Sequence, residues 1–175
     1  MEYFLKTERL GFRCWSEADL PLAQELWGDP KVSQFLGGPF APGVIQARLK
    51  REIAQMQECG LQYWPAFLLD NDAHVGCAGL QPYRRQERIY ELGYHLRPAF
   101  WGRGLAQEAA RALIEYAFDR LGATALFAGH HPLNLESARV LLKVGFVYTG
   151  EEFYPPSGMI EPAYLLRQAS PQISP

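Results

Sequence analysis

A chain of 175 residues with 48% hydrophobic and 21% charged residues has the size of one domain and enough apolar content for a sizeable core, which excludes global disorder. Lys and Arg total 17 against 19 Asp and Glu, a net charge of −2, so affinity driven by a nucleic-acid backbone is not expected and any anionic ligand has to be held locally. Three cysteines, Cys14, Cys59 and Cys77, in no C-x-x-C spacing suggest neither a disulfide framework nor a zinc cage, and fit free thiols in a reducing cytoplasm.

The opening Met1-Glu2-Tyr3-Phe4-Leu5-Lys6-Thr7-Glu8 has an acid where a signal peptide wants bases, and no stretch reaches the ~18 apolar residues of a membrane span, so a cytoplasmic protein without a membrane partner is expected. Residues 4–15 read as a first strand. A helix follows, capped by Ser16 with Asp19 three residues on, and Leu20, Ala23 and Trp27 form its apolar face. A second helix opens at Ala41-Pro42, carries Ile45, Leu49, Ile53 and Met56 on one side and closes at Gly60. Three β segments come next, 63–69, 75–83 and 88–97, with Asn71-Asp72 as a hairpin turn. Residues 104–121 form an amphipathic helix, with Leu105, Ala109, Leu113, Ala117 and Leu121 every four residues, ended by Gly122. A strand at 125–129 precedes a helix capped by Asn134, with Ala138, Leu141 and Leu142 inward and a stop at Gly145. Strands at 146–154 and 160–167 complete an α+β domain spanning 1–167, and 168–175 reads as a frayed tail.

The most informative stretch is 90–106, a strand that passes through Gly102 and Gly104 into a helix. Such a turn aims main-chain N–H groups at an anion, the helix start adds partial positive charge, and glycines let a phosphate approach the backbone. A lone G-x-G more often marks only a tight connection. No nucleotide P-loop or Rossmann signature is present.

Trp101-Gly102-Arg103-Gly104-Leu105-Ala106 resembles the [QR]-x-x-G-x-[GA] pyrophosphate signature of the GCN5-related N-acetyltransferases (GNAT), with Trp101 in place of the usual Gln or Arg. Asn134-Leu135-Glu136-Ser137 followed by Lys143-Val144-Gly145-Phe146 resembles the N-x-x-S…K-x-G-F block of the same family. Thr7-Glu8-Arg9-Leu10, Gly37-Gly38-Pro39 and Glu91-Leu92-Gly93-Tyr94 are similar to the ribosomal-protein-alanine N-acetyltransferase subgroup. The resemblance implies a GNAT-like mixed, mostly antiparallel sheet of six to seven strands, with helices on both faces and a splayed parallel strand pair. It implies acetyl-CoA as co-substrate and direct attack by an amine acceptor, either a protein or peptide N-terminus or a small molecule.

Carried onto this chain, the resemblance places the pyrophosphate on Gly102, Arg103, Gly104, Leu105 and Ala106. The pantetheine arm pairs with a bulged strand at Tyr94, His95 and Leu96, ended by Arg97-Pro98, with 125–129 as the diverging parallel partner. A backbone N–H at Leu96 or His95 is the expected oxyanion donor. Asn134 and Ser137 are expected at the cofactor, Ser137 contacting or protonating the sulfur. Many relatives place a Tyr acid where this chain has Leu141. Glu91, a carboxylate in an otherwise apolar strand, needs a partner or a task and is the candidate base, acting through water. The structural alternative is a cross-sheet hydrogen bond, and His95, on the same side by period-two geometry, is the rival base. The segment 35–40, with its glycines and apolar rims, reads as an acceptor lid.

No cysteine has an evident His partner, which argues against an acetyl-cysteine route. His130 and His131, adjacent on an extended segment, point apart, so no metal is expected. A catalytically decayed acyl-CoA-binding regulator, motivated by Leu141, is the alternative function. Monomer and homodimer both remain open.

Overall fold

The computed structural model describes residues 2–155 and 157–168. Strands β1 (Leu5–Lys6), β2 (Leu10–Phe12), β3 (Tyr63–Leu68), β4 (His74–Arg84), β5 (Ile89–Leu96), β6 (Ala125–Gly129), β7 (Val147–Tyr154) and β8 (Met159–Arg167) form one sheet in the order β1-β2-β3-β4-β5-β6-β8-β7. Every neighbouring pair is antiparallel except β5 and β6, which run parallel. Helices α1 (Leu20–Trp27), α2 (Pro30–Ser33), α3 (Pro42–Cys59), α4 (Leu105–Arg120) and α5 (Leu135–Lys143) cover it. Apart from Gln168, the expected tail lies outside the described residues.

The architecture is the expected one, but the sheet has eight strands rather than six or seven. The single strand expected over 4–15 is broken by a tight turn, in which the Thr7 and Leu10 main chains bond at 2.8 Å and the Leu10 N–H donates to Thr7 Oγ1 at 2.9 Å. α2 is a further addition, begun by Pro30 and capped by Asp29, whose carboxylate accepts the Lys31 N–H at 2.8 Å. Leu142, expected inward, points to solvent at 56% exposure. In so short a helix the buried stripe is Ala138 and Leu141, one turn apart, and the next residue is rotated out of it.

Alternation along the strands feeds two cores. Trp64, Ala66, Ala78, Leu80 and Leu92 pack with Leu105, Ala109 and Leu113 of α4 and Leu141 of α5. On the other face Tyr63 and Cys77 pack with Trp27 of α1 and Ile45 and Leu49 of α3.

The site is set by the parallel seam. β5 and β6 pair only at Ile89↔Ala125, Tyr90↔Leu126 and Glu91↔Phe127, and beyond Glu91 the two strands diverge. The bulge expected at Tyr94–Leu96 is absent from β5, whose register with β4 runs unbroken from Tyr90 to Leu96. The irregularity lies instead at Tyr83 on β4, between Pro82 and Arg84. The gap therefore opens because β6 leaves β5.

Candidate active site

At the far end of β5, Pro98–Phe100 forms one 3-10 turn and Gly104 starts α4. Gly102 and Gly104 have φ of +70° and +76°, a left-handed conformation that side chains resist. A Cβ at Gly102 would meet nothing within 4 Å, and one at Gly104 would meet only Arg9 Nη2 at 3.7 Å, so the space before the loop is open and bordered by a cation. The first helical bond of α4 is Glu108 N–H to Gly104 O. The N–H groups of Leu105, Ala106 and Gln107 therefore precede the ladder and are available to an anion.

One carboxylate stands in this first turn and would repel a phosphate. Glu108 is neutralised in place. Its oxygens accept the Thr7 hydroxyl at 2.5 Å, the Arg9 N–H at 2.8 Å and Arg9 Nε at 2.7 Å, with Arg9 Nη2 at 2.6 Å. Partial burial works to raise its pKa, but these donors outweigh burial and hold it below the usual carboxylate value. Arg9 Nη1 also donates to the Arg103 carbonyl at 3.0 Å. The Thr7-Glu8-Arg9-Leu10 turn thus braces the glycine loop, a role the sequence does not expose. Trp101 does related work, donating its indole N–H to the Leu96 carbonyl at 2.7 Å.

Hydrogen-bond alternation sorts the two backbone donors. The Arg97 N–H donates to the Val75 carbonyl at 2.9 Å. Along an antiparallel pair such groups alternate, so His95 turns its N–H to β4, while Leu96 and Tyr94 turn theirs toward the gap. Leu96 is the backbone donor that faces it.

Side chains of β5 divide between two faces. Glu91 and His95 share one, as expected, with Tyr63 lying over Gly93 between them. A Cβ at Gly93 would fall 2.1 Å from the Tyr63 hydroxyl. That hydroxyl donates to Glu91 Oε1 at 3.4 Å. Burial, reinforced by the negative charge of Glu161 and only partly offset by hydrogen bonds from Tyr63 and Tyr154, pushes the Glu91 carboxyl up to about 7. His95 Nδ1 receives the Trp27 indole N–H at 3.3 Å and lies 3.6 Å from Cys77 Sγ. Burial, with the charge of Arg48, drives its pKa well down. Its ring is therefore neutral and already engaged, which leaves Glu91 as the group poised near neutrality. Cys77 does have a histidine neighbour, contrary to the sequence reading. It is fully buried, and burial raises its thiol pKa, so it offers no thiolate.

On the opposite face, Tyr94 Oη lies 3.0 Å from Ser137 Oγ and 3.2 Å from the Ser137 carbonyl. Burial raises the Tyr94 pKa to about 12, so the phenol keeps its proton. Asn134 caps α5, its side-chain oxygen accepting the Ser137 N–H at 3.2 Å. Leu141 is in the core at 1% exposure. The sequence used Tyr94 only for its backbone, and the contact of its hydroxyl with residue 137 has no local signal. Phe35 packs against His131 with ring centroids 5.3 Å apart, so the 35–40 segment lies next to the β6–α5 connection. His130 is spent locally, on the His131 carbonyl and the Tyr164 hydroxyl.

Residues 9–147 match the family model described as an acetyltransferase (GNAT) domain. The chain belongs to the GNAT acetyltransferase family. An N-acetyltransferase of Bacillus licheniformis named p20, of uncharacterised role, is 28% identical over 150 residues, covering 83% of both chains. A GNAT acetyltransferase from Bacillus anthracis superposes with a TM-score of 0.81 at 26% identity, over 93% of this chain and 97% of that one. A ribosomal L7/L12 alpha-N-protein acetyltransferase solved with coenzyme A has the same fold, with a TM-score of 0.79 at 18% identity over 95% of this chain and 98% of the other. In this GNAT enzyme the open loop before α4, the gap past Glu91 and the Leu96 N–H lie along one side of β5, which suits the coenzyme A that the family uses.

Proposed function

We propose that the protein transfers the acetyl group of acetyl-CoA to a primary amine, on a protein or peptide N-terminus or on a small molecule, by direct attack. The observation that carries this reading is Glu91, whose pKa of about 7 lies where a general base is most useful at neutral pH, at the point where β5 and β6 part. Gly102 to Ala106 and the start of α4 hold the pyrophosphate, and the main chains of Tyr94 and Leu96 face the pantetheine. When bound, acetyl-CoA supplies the activated thioester.

Glu91, through a water, takes the proton that the attacking nitrogen loses. The Leu96 N–H stabilises the negative charge that develops on the carbonyl oxygen. As the C–S bond breaks, Ser137 gives the departing sulfur a proton and regains one from Tyr94 or solvent. The Tyr94 phenol next to Ser137 offers the acid that Leu141 cannot, which weighs against the decayed-regulator reading.

A thiol-release assay with acetyl-CoA over a panel of amines tests the proposal. Turnover is expected, with loss of about a hundredfold or more in Glu91→Gln. Binding of acetyl-CoA in calorimetry without turnover of any amine would favour the regulator.

A further inference from the structure

The cavity beside Glu91 has a chemistry that acetyl transfer alone does not require. Its volume is about 170 Å³, below the roughly 300–1,000 Å³ of pockets that enclose drug-sized ligands, so it takes a compact group. Its walls include Tyr83 near the end of β4, Glu91, Phe127 of β6, Glu152 and Tyr154 of β7, and Glu161 of β8. Among the described residues that line it, none is Lys, Arg or His. Tyr83 stacks on Phe127 at 4.1 Å and 3°, and its hydroxyl donates to Glu152 Oε2 at 2.5 Å. An aromatic wall and a rim carboxylate are thereby fixed in place.

Glu161 points to the ligand. It is only 6% exposed, it lines the cavity, and among the described residues no hydrogen-bond donor or cation engages its carboxylate. It pairs in register with Glu152 across β7 and β8, and its charge acts on Glu91. Carboxylates placed this close repel one another, both across the strand pair and toward Glu91. A cation brought by the ligand relieves both.

We infer that the acceptor is a primary amine carrying a second cationic group a few bonds away, with Glu161 holding that cation, Glu152 flanking it at the rim and Glu91 serving the attacking nitrogen. This rests on the acetyl-transfer reading and names its substrate class. The Tyr83–Phe127 wall covers the short spacer with apolar surface. A neighbouring positive charge also lowers the pKa of the attacking amine, so that a base near pKa 7 suffices. Two sources share this chemistry: a free short diamine, and a peptide whose first residue has a basic side chain.

The test measures thiol release with acetyl-CoA for two matched pairs. Diaminobutane is compared with n-butylamine, and a peptide beginning with lysine with the same peptide beginning with norleucine. At least a tenfold higher kcat/KM is expected for the dicationic member of one pair, and that pair identifies the source. In Glu161→Gln, similar in shape but uncharged, the preference should fall about tenfold, chiefly through KM, with a melting temperature no lower than that of the wild type as the check on folding. Equal or better use of the monocationic member in both pairs overturns the inference, whether or not Glu161→Gln folds. So does a preference that survives in a folded Glu161→Gln. Turnover of no amine despite acetyl-CoA binding would instead overturn the acetyl-transfer reading itself.

Discussion

In the proposed mechanism Glu91 is held in a state that serves catalysis at the expense of stability. An ordinary glutamate titrates near 4.3, whereas this one titrates at about 7 in the folded protein. Between those values the folded chain binds more protons than the unfolded chain, so folding stability falls as pH rises through that window and the full cost persists above it. Glu91→Gln should therefore raise stability at pH 8 by about 1–3 kcal/mol while changing it little at pH 4. Urea denaturation at the two pH values measures this, and a variant less stable at pH 8 would contradict it. Activity should show the complementary sign, with wild-type kcat/KM rising to a plateau through about pH 7 and that limb absent in Glu91→Gln. On the other face of β5, Ser137→Ala and Tyr94→Phe should each lower kcat about tenfold with little change in acetyl-CoA affinity. Because the two hydroxyls are 3.0 Å apart and in the proposed mechanism serve one proton, the double variant should cost little more than the worse single one. Additive losses under chemistry-limited turnover would separate them. The sequence made Glu91 and Ser137 visible as odd polar residues in regular patterns, but not Tyr94, whose hydroxyl is informative only through a partner 43 residues away.

At the scale of elements, the glycine turn before α4 was legible because its cause is local. Two residues with φ near +70° before a helix start need glycine wherever they occur. Gly104→Val should weaken coenzyme A binding at least tenfold through backbone strain, since the space at its Cβ position is open. Calorimetry measures this, with the melting temperature as the folding control. The brace behind the turn was not legible, because Arg9 and Glu108 are 99 residues apart. Arg9→Ala would free the Glu108 carboxylate beside the proposed phosphate site, and coenzyme A affinity should fall about tenfold. Adding Glu108→Gln should restore part of that loss. No recovery in the double variant would mean that Arg9 acts on the phosphate directly. The strand expected over 4–15 was misread because a turn closed by one threonine leaves no glycine or proline to mark it.

For the whole molecule, apolar periodicity was enough to predict most elements, since helices of 16 and 18 residues and strands with alternating faces carry their own pattern. Pairing across the sheet is not periodic, and this hid both the splitting of the first strand and the meeting of Glu91, Glu152 and Glu161 from three separate strands. The three-residue seam between β5 and β6 has a mechanical consequence. Strands β1–β5 and β6–β8 are two panels hinged along Ile89, Tyr90 and Glu91, with α4 laid across the back. A pantetheine arm lodged in the open part of that hinge would bridge both panels and act as the missing rungs of the ladder. Saturation with coenzyme A at about 100 times Kd should add roughly 2.7 kcal/mol of stability. The gain should be uneven, with amide exchange slowing most in Leu92–Leu96 and Ala128–Gly129 and least in β1 and β2. In that sense the substrate is also a splint: the protein should be most easily pried apart, by heat or by protease, in the interval between releasing one coenzyme and taking up the next.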